Sequence, residues 1–365
     1  MEEKKIRKEV YTNEFSRLDE FNYQDDVGGE DEVHKIIHKK RGGGSLPSGS
    51  MFMESIDASS FVKTGEKLCE LLDRYVEHVG EHNVVQVISD NGSNFVSTLT
   101  EKKKEETPCA AHCIDLMLED IEKIPNIKKA LQRAIALVGF IYRHSGVLNM
   151  MRDFTKNKEL VKCGITRFAT SFLTLQRLQY QKTNLRAMFT SEKWVISKWS
   201  KLPKGKSVAH TVLMEIFWNQ VMYILKIMGP LVKVLRLVDN KKKPAMGYIY
   251  EAMDRAKEAI AKAFGWNIAK YKDIFKIIDE RWQCQLHHPL HAVGHYLNPE
   301  YFYQNSAIEN FREVTDGLYA CIEKLVPSTE VQDKIISEIP LYTKAEQQFG
   351  LPIVKRSRAT RSPGN

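Results

Sequence analysis

After Pro108, the apolar residues of this chain recur at the three- and four-residue spacing of amphipathic helices almost without a break. Periodic stretches cover 109–123, 127–144, 167–187, 208–238, 245–263, 267–279, 306–325 and 329–339. Pro125, Pro203, Pro230, Pro244, Pro289, Pro299, Pro327 and Pro340 punctuate them. Upstream the pattern differs. Met51–Ile56 suits a short strand, and Leu68, Leu71, Leu72, Val76 and Val79 predict a helix over Thr64–Val79. Val84–Ser89 is a β-branched run that stops at Asp90-Asn91-Gly92, which is a buried strand running into a turn. Ser93–Lys103 suits a following helix. No internal repeat is visible. The fold class expected is α/β plus mainly α, a small strand–helix–strand–helix unit leading into a large helical piece. Such an order suggests a helical insertion after a sheet core rather than a repeating βαβ fold.

The expected organisation has four parts. Residues 1–50 are charged, mixed in sign and end in Arg41-Gly42-Gly43-Gly44-Ser45, a composition that buries too little apolar surface to order itself. Residues 51–145 hold the partial α/β core and 146–340 the helical domain. Residues 341–365, with Lys355-Arg356-Ser357-Arg358 and Arg361, form a basic tail expected to be disordered.

Of the 365 residues 43% are hydrophobic and 27% charged, so the chain can bury a core and keep a polar surface. The formal net charge of +8 suits a polyanionic partner such as nucleic acid, although many mildly basic proteins bind none. Six cysteines, Cys69, Cys109, Cys113, Cys163, Cys284 and Cys321, are scattered along the chain and suit free thiols in a reducing compartment. The N-terminus lacks the apolar stretch of a secretion signal, and the longest apolar runs are broken by charge, so no membrane partner is expected.

Four segments invite chemistry, and each has a plainer alternative. Asp90 closes a buried strand, where open α/β sheets place their sites and where nucleases of the RNase H class hold Mg²⁺ on carboxylates. Alternatively Asp90 caps the next helix. Cys109 and His112 stand three apart at a helix start, and Cys284, His287, His288, His291 and His295 form a second cluster; together they suggest zinc, or merely a capped, hydrogen-bonded turn. Arg167 and Phe168 pair a phosphate-binding cation with a stacking ring, or else Thr166 caps a helix whose core residues are Phe168, Phe172 and Leu175. Arg281 and Trp282, after Asp279-Glu280, look like a nucleic-acid contact and equally like a charged helix end with a buried Trp.

Together these segments resemble the hAT superfamily of DNA transposases, in the plant-type subgroup with a domain of unknown function at its core. The matching stretches are Val84–Asn91, Thr107–Glu119, Gly164–Leu175, Arg281–Pro299 and Glu338–Phe349, spanning about 51 to 355. The resemblance implies an RNase H-like core interrupted by a large helical insertion domain. It also implies three acids that hold two Mg²⁺ ions to cut DNA. Asp90 falls at the second acid, Cys109 and His112 match a Cys-x-x-His motif beside the active site, and Thr166-Arg167-Phe168 matches a Thr-Arg-Trp motif with Phe in the aromatic place. The first acid belongs upstream of a segment like Met51–Ile56, and Asp57 is not it. The third belongs beyond a segment like Glu338–Phe349. Neither motif is present here, nor the dimerisation region or the N-terminal zinc finger, so the resemblance implies a copy truncated at both ends.

Two-metal cleavage needs carboxylates around both ions, and one Asp of three holds too little charge. The expectation is therefore no enzyme activity and no bound cofactor, with Mg²⁺ belonging to the intact family and Asp90 as a vestigial ligand. DNA is the expected partner, bound weakly, in the nucleus. The alternatives are an interaction module that pairs with related transposase chains, or a gene fragment without function.

Overall fold

The computed structural model describes residues 65–84, 86–89, 105–162, 168–239, 246–305 and 307–358. The expected strand at Met51–Ile56, the helix at Ser93–Lys103 and the whole of residues 1–50 lie outside the described residues. Those described belong to one unit, Ser50–Asn365. It is mainly helical with a two-stranded parallel sheet.

Helix α1 (Gly65–Val79) leads through a single turn of 3₁₀ helix to β1 (Gln86–Ser89). Gly80 makes the junction at φ 89°, a conformation that costs glycine little and other residues more. Strand β2 (Glu105–Pro108) pairs with β1 in parallel, Gln86 facing Glu105 and Ser89 facing Pro108. The sequence of β2, Glu-Glu-Thr-Pro, has no β-branched run to announce it, and the periodicity does not predict it. It is fixed by partners instead. The Gln86 side-chain amide donates to the Thr107 hydroxyl, Thr107 is fully buried, and the Cys109 N–H donates to the Ser89 carbonyl at 2.8 Å. Ile88 is 62% exposed, unusual for a residue of a parallel pair.

The helices that follow are α2 (Ala110–Lys123), α3 (Pro125–Arg143), α4 (Ser145–Thr155), α5 (Phe168–Tyr180) and α6 (Lys182–Thr190). Two single turns, α7 (Glu192–Val195) and α8 (Lys198–Lys201), precede α9 (Pro203–Leu213) and the 24-residue α10 (Glu215–Val238). Pro125 and Pro203 open their helices at the first position, where a missing N–H costs nothing. The periodic stretch 208–238 divides at Met214 into α9 and α10, and the stretch 167–187 divides at Gln181 into α5 and α6.

Helix α10 is the axis of the main core. Phe217, Trp218, Val221, Ile227, Met228 and Leu231 are fully buried, against α2, α3, α5, α9 and α11 (Ile249–Ala263). The Trp218 indole N–H donates to the Val212 carbonyl at 2.7 Å, so its one polar atom is satisfied inside. The same core takes in Ile114, Met117 and Leu118 of α2 and Leu137 and Ile141 of α3. The expected boundary at 145/146 therefore does not separate two cores; helices on both sides of it share one.

A smaller cluster forms beyond α12 (Lys272–Arg281), a π-helical turn (Trp282–Leu286) and α13 (Pro289–Tyr296). Tyr296, Phe302, Val314, Leu318 and Ile322 are its centre, contributed by α13, α14 (Pro299–Phe302) and α15 (Arg312–Leu325). Helix α16 (Thr329–Thr343) lays Ile335, Ile339 and Tyr342 on it. The tail expected to be disordered from 341 is instead helical as far as α17 (Pro352–Ser357). The reason is aromatic: Phe349 meets Tyr342 edge-on, and the Arg358 guanidinium lies 3.4 Å from the Tyr303 ring centre. Residues 359–365 lie outside the described residues.

Replacing Trp218 by Ala removes the largest fully buried side chain and strands the Val212 carbonyl. Urea unfolding of the variant is expected to show a loss of about 3–5 kcal/mol with an unchanged slope.

Candidate functional site

The carboxyl ends of parallel strands are where sheet proteins place ligands, because the following helices point their N-terminal N–H groups there. Here the end of β1 is Ser89, and the hydrogen bond from Cys109 ties the start of α2 to it. Asp90, the next residue, lies outside the described residues, as does Arg167; the side chain of Phe168 is also outside them, although its backbone opens α5. Buried Phe172 and Leu175 agree with the plainer reading of that segment as a helix start.

Cys109 is the N-cap of α2, in extended conformation, and its side chain makes no capping bond. Cys109 and His112 are both half-buried, one helical turn apart. Cys113, directly below, is fully buried. Burial pushes its thiol up to about 12, the neighbouring Cys109 pushes the same way, and the Arg281 guanidinium opposes them. That sulfur is a core group rather than a nucleophile.

Arg281 comes from the end of α12, remote in sequence. Its Nη2 and Nε donate to one oxygen of Asp120, at 2.6 and 2.8 Å. Lys123 reaches the other oxygen at 2.9 Å. Burial opposes ionisation of Asp120, but the hydrogen bonds from Lys123 and Arg281 outweigh it and hold the carboxyl below its ordinary range. Trp282 opens the π turn and packs edge-on to Tyr250, with ring centres 4.8 Å apart. The turn touches both β2 and α2. The structure thus brings the Cys109–Cys113 segment and Arg281-Trp282 together. It commits the latter pair to internal contacts, the charged helix end with a packed Trp that the sequence also allowed.

Periodicity gave no sign of the π turn, an irregularity often found at functional sites. Its Gln285 is buried, and Oε1 has no hydrogen-bond partner among the described residues. Nor did it reveal Asp120, whose partner is 161 residues away. No local pattern could have linked them.

Among the described residues no three His, Cys, Asp or Glu side chains converge, and those next to the strand ends, Cys109 and His112, are soft ligands of a kind that Mg²⁺ does not favour. The histidines downstream make other contacts, although the buried Nδ1 of His295 has no hydrogen-bond partner among the described residues. His287 faces Glu313 at 3.7 Å, His291 is buried with Nδ1 2.9 Å from the Leu286 carbonyl oxygen, and His295 stacks on Tyr250.

Residues 44–137 match a family described as a domain of unknown function, DUF659, found in hAT-type transposase-like proteins. The match covers α1, β1, β2, α2 and most of α3. No curated protein and no solved structure matches the chain.

One carboxyl near the site is out of place energetically. Glu122 of α2 turns inward toward α5, where Ser171 hydrogen-bonds it, but its Oε1 has no partner among the described residues. Burial raises its pKa from 4.5 to about 7, with neighbouring Glu119 adding to the rise. A carboxyl whose folded pKa is raised loses stability for the fold as pH climbs from the unfolded value through the folded one. Glu122→Gln is therefore expected to stabilise the protein by about 1–2 kcal/mol at pH 8, after allowance for partial exposure, and by little at pH 4. Thermal melts at the two pH values measure the difference.

Proposed function

We propose that this chain is a transposase-derived, DNA-associated nuclear protein that does not cut DNA. The observation that carries the reading is the family match over residues 44–137, which falls on the segment where the sequence places the strand-end acid and the Cys-x-x-His motif. The RNase H-like core belongs to this reading, with β1 and β2 as two of its strands and the helices after α3 as the insertion.

The chemistry around the strand ends supports the absence of cleavage. In-line hydrolysis of a phosphodiester between two metal ions needs several carboxylates at one point. Among the acids, the resemblance gives a role to Asp90 alone, and Asp120, further along α2, is held by Arg281 and Lys123. DNA association asks for less, because phosphate binding is spread over many cations. A second reading has one observation of its own: Ile88 stands exposed on one face of the strand pair, as in a surface that pairs with a related chain.

Fluorescence anisotropy of the full chain with duplex DNA tests the first reading. Binding is expected in the micromolar range or weaker at physiological salt, falling steeply as salt rises. With Mg²⁺ present, plasmid DNA is expected to stay uncut. No binding at low salt by a sample with a cooperative melt would overturn DNA association. Nicking that disappears in Asp90→Asn would overturn the absence of cleavage.

A further inference from the structure

Much of the chain's excess positive charge falls in one stretch of sequence. Between residues 177 and 206 stand eight lysines and arginines against one acid, Glu192. Helix α3, which packs against α9, adds Lys128, Lys129, Arg133 and Arg143 with no acid at all. We propose that the turn from α8 into α9, with Lys198, Lys201, Lys204 and Lys206, is a docking surface for the phosphate backbone of duplex DNA.

All four lysines are exposed, and none forms an ion pair among the described residues. Lys193, just upstream, differs in being paired with Asp153 at 3.3 Å. The four are carried on a rigid support. Ser191 and Ser197 cap α7 and α8, accepting from the Trp194 and Ser200 N–H groups. Trp194 is buried edge-on to Phe189. The Trp199 ring nests on Gly146, where a Cβ would lie 1.9 Å from its Cη2. The Trp199 carbonyl nests on Gly205, where a Cβ would lie 2.0 Å from the oxygen. Those two contacts fix α8 against α4 and α9, so the lysine positions are set by packing rather than by loop motion.

The placement is costly for the fold. The N-terminus of α9 is a positive helix end; its N-cap, Leu202, offers no side-chain acceptor and its first turn holds no acid. Lysines there repel the helix dipole instead of complementing it. The same arrangement favours an anion, since the dipole and the ammonium groups then act together.

The chemistry selects the partner. Lysine is a mobile point charge, suited to a repeating line of phosphates, whereas paired recognition of protein carboxylates favours the planar fork of arginine. Trp194 and Trp199 are packed inward, so α7 and α8 present no aromatic platform for unstacked bases, which argues for a duplex over a single strand. Contacts to phosphate alone carry no sequence information, so binding at this surface is independent of sequence.

This inference rests on the DNA reading above, and the test separates the two. The full chain and two variants are titrated with a labelled DNA duplex across a salt series. One variant carries Lys198→Gln, Lys201→Gln, Lys204→Gln and Lys206→Gln. The control carries Lys262→Gln, Lys270→Gln, Lys272→Gln and Lys276→Gln, the same charge change on another exposed face. The first is expected to lose about tenfold or more in affinity, its log–log salt slope shallower by about 3 to 4. The control should stay near the parent, and the first variant's Tm should hold or rise because the repulsion at α9 is gone. Equal losses in both variants, or none in the first while the parent binds, overturn the surface and leave the DNA reading standing. Failure of the parent to bind duplex DNA overturns both. Preference for an RNA duplex through the same lysines overturns the choice of partner.

Discussion

Everything in the main body depends on burying α10. Only four of its 24 residues are charged, and its buried face runs from Phe217 to Val234. A helix that apolar cannot stand at a surface, so other helices must surround it. Helices α2 and α3 from the segment before residue 145 do so together with α5, α9 and α11 from the segment after it. The strand pair is thereby anchored: α2 is part of the core, β2 runs directly into α2, and the Cys109–Ser89 hydrogen bond holds β1 to that junction. Among the described residues, the candidate site is thus suspended from the helical core.

The same dependence explains what the sequence made legible. Long helices with a regular apolar stripe, such as α3, α11 and α16, follow directly from period and proline placement, because local pattern and final burial agree. β1 was legible from its β-branched run. β2 was not, since its stability comes from Thr107 and Cys109 meeting residues about twenty positions away. Helix α4 also escaped notice, as did α13, whose histidines suggest ligands but serve as packing groups. The fate of the C-terminal tail turned on rings and one guanidinium. Charge pattern alone marks Lys355–Arg358 as solvated, yet Arg358 finds a face of Tyr303 and Phe349 finds Tyr342.

At the candidate site the sequence supplied residue types but not alliances. Arg281 and Trp282 look available to a ligand until Asp120 and Tyr250 are placed beside them. A pairing between positions 120 and 281 has no local signature, because the two helix ends meet only after the core has formed. Cys113 shows the converse. In sequence it is one of two cysteines flanking a histidine; in the fold it is a fully buried thiol whose ionisation burial suppresses, which makes it a core group rather than a free nucleophile.

On the proposed reading, an absence of cleavage and an attachment to DNA are compatible on physical grounds, and the charge distribution says why. Metal-assisted hydrolysis is a property of one point: carboxylates within a few ångströms must converge, and a missing acid abolishes it. Electrostatic attachment is a property of a surface, where each cation contributes a similar increment and no one of them is essential. In this chain Asp120, near the end of α2 away from the strands, is already paired with Arg281, while α8 and α9 hold four exposed lysines without an ion-pair partner among the described residues. A fold selected for stability alone would not gather cations at the uncapped start of α9, where the helix dipole opposes them. On the proposed reading, the phosphate backbone of DNA supplies the missing counter-charge, and the destabilised turn is the place where that attachment acts.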